Sequence, residues 1–223
     1  MNPLEIRKAT IARSGQTLIA DLNLRVEPGE VLTLMGVSGS GKSTLLNWII
    51  GALDPAFEAR GELRIGGERR DGLPVESRRI GILFQDDLLF PHLSVGQNLA
   101  FALPAKVQGK GARRRLIEDT LADVGLAGFF ERDPATLSGG QRARVSVLRA
   151  LLAEPDALLL DEPFSKLDVV LREQFRSFVF ERIARLAIPA LLVTHDPDDV
   201  PAGGRVIEIS EFSKFSIGEV RDA

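Results

Sequence analysis

The chain reads as an α/β protein with a mainly parallel sheet covered by helices on both faces, a smaller peripheral β layer and a helical insert. Three observations carry that reading. Short apolar runs at residues 31–35, 157–160 and 190–194 alternate with helix-like patterns, the order that builds a buried parallel sheet. The Gly-, Pro- and charge-rich stretch 52–74 contains GELRIGG, a short strand with polar flanks. From Ser94 to Leu152 the apolar residues recur at helical spacing, an insert of about sixty residues.

Taken in order, residues 22–26 and 31–35 are apolar runs separated by Pro28-Gly29, which reads as two strands joined by a turn. From Ser43, the stretch STLLNWII places a hydroxyl ahead of a dense apolar face, so strand, glycine-rich loop and helix follow one another. IGILF, residues 80–84, is a strand that ends at Gln85. Within the insert, Ile117, Leu121 and Val124, then Val145, Leu148 and Leu152, mark helices. ALLL before Asp161 is a strand. An amphipathic helix carrying Leu167, Leu171, Phe175, Phe178, Ile183 and Leu186 follows it, and ALLVT leads to His195. There is no internal repeat and no low-complexity segment.

Composition narrows the function classes. A length of 223 residues with 44% hydrophobic content suits one domain with a real core. The 28 basic and 31 acidic residues give a net charge of −3, without the basic excess of a nucleic-acid binder. Cysteine is absent, which removes disulfides, thiolate metal sites and cysteine nucleophiles. Glu5, Arg7 and Lys8 interrupt what would have to be the apolar core of a signal peptide. The most apolar windows fall short of the roughly 18–20 residues of a membrane helix, so membrane attachment is expected through a partner.

Residues 36–44, GVSGSGKST, fit G-x-x-x-x-G-K-[ST], with Gly36, Gly41, Lys42 and Ser43 at the fixed positions. Glycines let backbone N–H groups approach phosphate oxygens, and the helix that follows points its positive end at the same anion. The Lys42 ammonium suits β- and γ-phosphate oxygens, and the Ser43 hydroxyl suits Mg²⁺. A glycine-rich turn that happens to contain lysine is the plain alternative, and the flanking strand and helix argue against it. Asp161 and Glu162 close a buried strand at the edge where α/β sheets bind ligands. Asp161 suits Mg²⁺, and Glu162 suits polarising a water for attack on the γ-phosphate. Gln85 and His195 also follow strands. Gln85 is a candidate for contact with Mg²⁺ and the attacking water, and His195 for the γ-phosphate. His92, in FPHLSV, has no neighbouring ligands in sequence and reads as structural.

LSGGQ, residues 137–141, reads first as a capped helix start, with Ser138 and Gln141 spaced as a capping box. The two glycines in the first turn lower helix propensity while baring N–H groups at a positive helix end, which adds a second candidate phosphate contact.

Together GVSGSGKST, Gln85, LSGGQ, LLLDEP, SKLD at residues 165–168 and Thr194-His195 resemble the ordered motifs of ABC (ATP-binding cassette) ATPases. The resemblance implies a P-loop NTPase fold: a RecA-like core with an antiparallel β layer, residues 1–85 and 154–223, and a helical signature subdomain, residues 86–153. LLFPHLSVGQNLAFAL is similar to bacterial importer subunits for thiamine, sulfate, molybdate, iron and polyamines. It further implies ATP and Mg²⁺ as ligands. Gly36, Ser38, Gly39, Ser40, Gly41, Lys42, Ser43 and Thr44 would hold phosphate, with Ser43, Gln85 and Asp161 around the metal. Glu162, His195, Gln85 and Lys42 would be catalytic. The implied assembly is a head-to-tail homodimer, in which Ser138, Gly139, Gly140 and Gln141 of one copy cap ATP on the other and Asp168 reaches across.

Partners of this kind are membrane permease subunits and a periplasmic substrate-binding protein, with no nucleic acid. The ATPase would then sit on the cytoplasmic face of the inner membrane, with Leu88, Leu89 and Phe90 as candidates for permease contact or for local core. An export or cell-envelope remodelling complex is the alternative use. The pattern departs from the family in three places. Residues 1–30 hold no aromatic to stack on adenine, leaving the planar guanidinium of Arg13 as a substitute. Lys166 replaces a small residue, and DPDDVPAGG after His195 is short and proline-broken. No regulatory domain, and hence no built-in substrate sensing, is expected.

Overall fold

The computed structural model describes residues 2–212 except Ser38, Asp87, Lys166 and Asp168, so the expectations placed on Ser38, Lys166 and Asp168 lie outside the described residues. In chain order the elements are β1 (Leu4–Arg13), β2 (Gln16–Val26), β3 (Val31–Met35), α1 (Lys42–Ile50), β4 (Phe57–Ile65), β5 (Glu68–Arg69) and β6 (Ile80–Leu83). They continue with α2 (Val95–Ala102), α3 (Lys110–Ala122), α4 (Gly139–Leu152), β7 (Ala157–Asp161), α5 (Val169–Leu186), β8 (Ala190–Val193) and β9 (Val206–Glu208).

The strands form two sheets of different kind. One is parallel, in the order β6-β7-β8-β3-β9, and the other antiparallel, in the order β2-β1-β4-β5. The α/β class with an antiparallel layer is therefore as the sequence predicts. One detail differs. The runs at 22–26 and 31–35 are strands joined by a turn at Pro28-Gly29, with Glu30 N donating to Glu27 O at 3.0 Å, yet they belong to different sheets. The turn carries the chain from one layer to the other.

Side-chain alternation explains why the parallel sheet is covered twice. Leu159, Leu191 and Val193 face a cluster shared with α1 and the antiparallel sheet, including Leu45, Leu46, Ile49, Ile6 and Leu22. Leu158, Leu160 and Leu192 face the opposite cluster with Ala143 and Val147 of α4 and Phe175, Val179 and Ile183 of α5. A third cluster lies inside the helical segment, around Val95, Leu99, Ile117, Leu121, Val145 and Leu148.

The C-terminal end of α1 is tied down by Arg78, a buried residue whose guanidinium donates to Trp48 O at 2.7 Å and Ile49 O at 2.8 Å. The same guanidinium reaches Asp71 O at 2.6 Å and Leu73 O at 2.9 Å. Burial holds its pKa below the usual arginine value, and the four carbonyls satisfy it at the negative end of the helix dipole. With one end of α1 anchored in this way, the other end is presented to the cleft described next.

Candidate functional site: a cleft between the sheet edge and a hairpin tip

β3 ends at Met35, and residues 36–41 turn back into α1. The turn needs its glycines. Gly39 and Gly41 sit at φ 79° and 92°, and a Cβ on Gly36 would stand 2.5 Å from Ile209 Cγ2. Gly41 occupies the N-cap position without any side-chain cap, so the first N–H groups of α1 are left for an outside acceptor. The Lys42 ammonium donates to Gly36 O at 2.6 Å and Val37 O at 2.9 Å, which folds the side chain over the loop and keeps a third donor free of those two carbonyls. Ser40 Oγ is buried without a hydrogen-bond partner. A loop with bare N–H groups, an ammonium and an unsatisfied hydroxyl fits a phosphate chain.

The acidic pair stands on the neighbouring strand end. The Ser43 hydroxyl, at the start of α1, stands beside the Asp161 carboxyl at the end of β7 and favours its charged form. Burial and the adjacent Glu162 push the Asp161 pKa up, against the opposing pull of Ser43 and Lys42. A half-buried carboxylate next to a hydroxyl is an oxygen donor set suited to a hard cation that keeps several of its own waters. Among the described residues no group of three or more His, Asp or Glu side chains could hold a metal by itself, so such a cation needs phosphate oxygens as well.

Glu162 follows with a left-handed backbone, φ 46°, a conformation costly for a non-glycine residue. Its N–H donates to Val193 O at 2.9 Å, and its Oε1 lies 3.2 Å from His195 Nδ1. Its side chain lines the same cleft as Lys42, Ser43 and Thr44. Ser165 Oγ donates to Glu162 O at 2.9 Å and accepts from Gln85 Nε2 at 3.3 Å. Gln85 is thus joined to the acidic turn from the side. It lines the adjoining groove with Gly139 and Pro163 rather than the main cleft.

The segment after His195 is held by a charged network. Asp199, buried, accepts from Thr194 Oγ1 at 2.8 Å, and Arg172 of α5 reaches Asp199 at 2.7 Å and Asp196 at 2.8 Å. This network takes the place of a continuing helix. The proline-broken DPDD folds instead into a short 3-10 turn over Pro197–Asp199.

At α4, Ser138 and Gln141 form the reciprocal capping box anticipated from their spacing: Gln141 N donates to Ser138 Oγ at 3.3 Å and Ser138 N to Gln141 Oε1 at 3.0 Å. Residues 138–141 do not line the phosphate cleft of their own chain. The two glycines serve different ends. A Cβ on Gly140 would stand 2.0 Å from Leu171 Cδ2, whereas one on Gly139 would meet nothing within 4 Å. Gly140→Ala is therefore expected to destabilise the fold by about 1–3 kcal/mol through overpacking. Gly139→Ala should melt at or slightly above the wild-type temperature, since alanine favours the helix by about 1 kcal/mol; thermal unfolding of the two variants checks the pair.

The cleft has a volume of about 500 Å³, and its far wall is formed by Arg13, Ser14, Gln16, Leu18 and Phe57. Ser14 and Gly15, at φ 49° and 79°, make the two-residue turn between β1 and β2, so this wall is the tip of a hairpin.

Comparison with known proteins agrees with this geometry. Residues 19–165 match the family model described as ABC transporter. The chain belongs to the ABC transporter family. A relative named uncharacterized ABC transporter ATP-binding protein YnjD, from Escherichia coli, is 53% identical over 209 residues, covering 94% of this chain and 96% of that protein. The Fe(3+) ions import ATP-binding proteins FbpC of Rhizobium etli and Agrobacterium fabrum are 45% and 43% identical over 207 residues. Those alignments cover 92% of this chain but 58% of each of those relatives. As an ABC transporter ATP-binding subunit the chain is an ATPase.

Several residues in or around this ABC transporter cleft were not reached from sequence. Phe57 is one, because it comes to the cleft only through its pairing opposite Arg13. Arg172 and Asp199 are others, and the acidic run DPDD was the signal available for the second. Ser165 was visible only within SKLD. The raised Asp161 pKa also has a consequence for stability. A carboxyl that protonates more readily folded than unfolded lowers stability as pH rises through the window from its unfolded to its folded pKa. Asp161→Asn is therefore expected to raise the ligand-free melting temperature at neutral pH. The gap from wild type should narrow as pH falls below the ordinary aspartate value, as melting curves across pH would show.

Proposed function

We propose that this ABC transporter ATP-binding subunit drives import of a solute through membrane permease subunits, hydrolysing ATP at the interface of a head-to-tail homodimer. The observation that carries the reading is one cleft lined at once by the Lys42 loop and by Glu162, the latter hydrogen-bonded to His195. Lys42 and the bare N–H groups at the start of α1 bind the phosphates. Ser43 and Asp161, with Gln85 from the side, would hold Mg²⁺, which when bound neutralises charge on the β- and γ-oxygens. Glu162 accepts the proton of the attacking water. His195 is oriented by the Glu162 carboxylate and by the Asp199–Thr194 anchor, and hydrogen-bonds the γ-phosphate.

Ser138 to Gln141 sit at a helix start away from their own cleft, which supports their use on a second copy. Asp168 is proposed for the same interface from its motif alone. The names of the Fe(3+) import relatives support the direction of transport, and a periplasmic substrate-binding protein is the expected third component. Among the described residues no helix is long and apolar enough to cross a membrane, which agrees with peripheral attachment at the cytoplasmic face through the permease.

The candidates for permease contact divide. Leu89 packs against the helical cluster. Leu88 is 55% exposed and Phe101 73% exposed, with Phe90 edge-on to Phe101 at 5.2 Å. Arg149 Nη1 donates to Leu88 O at 2.9 Å. Leu88 and Phe101 are therefore the surface offered to a partner, and His92, exposed beside Phe90, is at its rim. Purification from detergent is expected to recover the chain with a multi-span membrane protein, and Leu88→Asp or Phe101→Asp should lose that protein while still binding ATP. Retention of the membrane protein by both variants would remove the assigned surface, and failure to recover one with wild type would remove the transport reading.

A further inference from the structure

Two consecutive residues near the start of α5 face different neighbours, because successive helical positions point about 100° apart. Leu171 fills the space that a Cβ on Gly140, in the first turn of α4, would need. Arg172 reaches the segment after His195 instead. Its Nη2 lies 2.7 Å from Asp199 Oδ1 and 2.8 Å from Asp196 Oδ2, and its Nε donates to Asp199 Oδ1 at 2.9 Å. One turn further along α5, Arg176 Nη1 donates to Asp198 O. The turn held in this way is bonded back to both flanks of His195: Thr194 Oγ1 donates to Asp199 Oδ2 at 2.8 Å and accepts from Asp196 N at 3.1 Å. Asp199 and Thr194 are each 2% exposed, whereas the His195 side chain is 63% exposed. The imidazole therefore projects from a backbone that is fixed on either side by buried groups.

We propose that α5 couples the start of α4 to His195, with Leu171 as the contact at Gly140 and Arg172 as the positioning residue that aims the imidazole. The inference rests on His195 as the γ-phosphate contact and names what holds it in place. A guanidinium joins two carboxylates because its N–H donors form a rigid planar fork, which a single ammonium does not reproduce. Separation from Arg172 would leave the buried Asp199 charge uncompensated, so the turn follows α5 when α5 shifts. Coupling between distant groups is carried by contiguous packed and hydrogen-bonded side chains. Gly140, Leu171, Arg172, Asp199 and Thr194 form such a chain up to the residue before His195. Movement of the α4 start presses on Leu171, and the next residue carries the displacement to the histidine. In the proposed homodimer, the helix start that caps the second copy's nucleotide is thus tied to the histidine that serves the chain's own nucleotide.

The chain has two histidines, so the ring NMR signals of His195 in the intact chain are read against those of His92, which lies beside Phe90. Arg172→Lys keeps a positive charge near Asp199 and loses the fork. It is expected to move the His195 signals and not those of His92, and to leave ATP affinity near the wild-type value. Its kcat should fall on the order of 10- to 100-fold, the cost of a misplaced group in the reacting geometry. Asp199→Asn breaks the same ion pair from the other side and should give the same pattern. Gly140→Ala displaces Leu171 and should also move the His195 signals, by an amount that shrinks in the Arg172→Lys background, as coupled positions do. Unmoved His195 signals with unchanged kcat in Arg172→Lys and Asp199→Asn, even with a lower melting temperature, would reduce Arg172 to a brace and overturn the inference. An equal shift from Gly140→Ala in both backgrounds, or none in either, would overturn the coupling. His195→Ala separates the two readings. Wild-type turnover in that variant removes the role of His195 on which the inference rests, whereas slow turnover there with normal turnover in Arg172→Lys strikes the inference alone.

Discussion

Glu162→Gln is expected to slow ATP turnover by about 10²–10⁴-fold, the usual range for loss of a general base, while ATP binding stays near the wild-type value. The amide is nearly isosteric with the carboxylate, so the left-handed turn at φ 46° and the bond from Glu162 N to Val193 O both survive. What is lost is the ability to accept a proton from water. That loss corresponds to roughly 3–5 kcal/mol of transition-state stabilisation. Binding should persist because Lys42, Ser43 and the glycine loop are untouched. Steady-state phosphate release paired with equilibrium ATP binding separates the two effects, and normal turnover in the variant would remove Glu162 as the base.

Lys42→Ala is expected to have the opposite signature, with loss of binding itself. Charge-assisted hydrogen bonds are worth about 1.5–3 kcal/mol each, so removing the ammonium should weaken ATP by on the order of 10- to 100-fold or more. Two carbonyls, Gly36 O and Val37 O, also lose their donor, which leaves the loop less ordered before nucleotide arrives. The loss should extend to inorganic tripolyphosphate, which offers the phosphate oxygens without a base. An unchanged ATP affinity would show that the ammonium remains on the loop carbonyls and does not reach phosphate.

The phosphate loop was legible because its chemistry is local: glycines, a lysine and a hydroxyl within nine consecutive residues, between a strand and a helix of clear pattern. Asp161 and Glu162 were legible for the same reason, as carboxylates closing a wholly apolar run. Strand β1 was not. Its alternation is broken by register shifts between Ile6 and Ala9, Ala9 and Ile11, and Ile11 and Ala12, so a period of two never develops over a useful length. Phe57 was hidden because its position depends on pairing with a strand more than forty residues away in sequence. Gly140 shows a third kind of limit. Sequence explained it through bare N–H groups, and the structure adds a packing reason in Leu171, which no local pattern contains. The anchor of Arg172 on Asp196 and Asp199 is likewise a tertiary arrangement.

The composite site is the central claim, and the capping box at Ser138 bears on it most directly. Ser138 and Gly139 are exposed and do not line their own chain's cleft, so the phosphate contact proposed for this helix start requires a second copy. Sedimentation velocity of Glu162→Gln, with and without saturating ATP and Mg²⁺, measures this without interference from turnover. The account predicts monomer in the absence of ATP and a dimer of twice the mass in its presence, abolished by Lys42→Ala in the same background. A monomer at saturating ATP would contradict it.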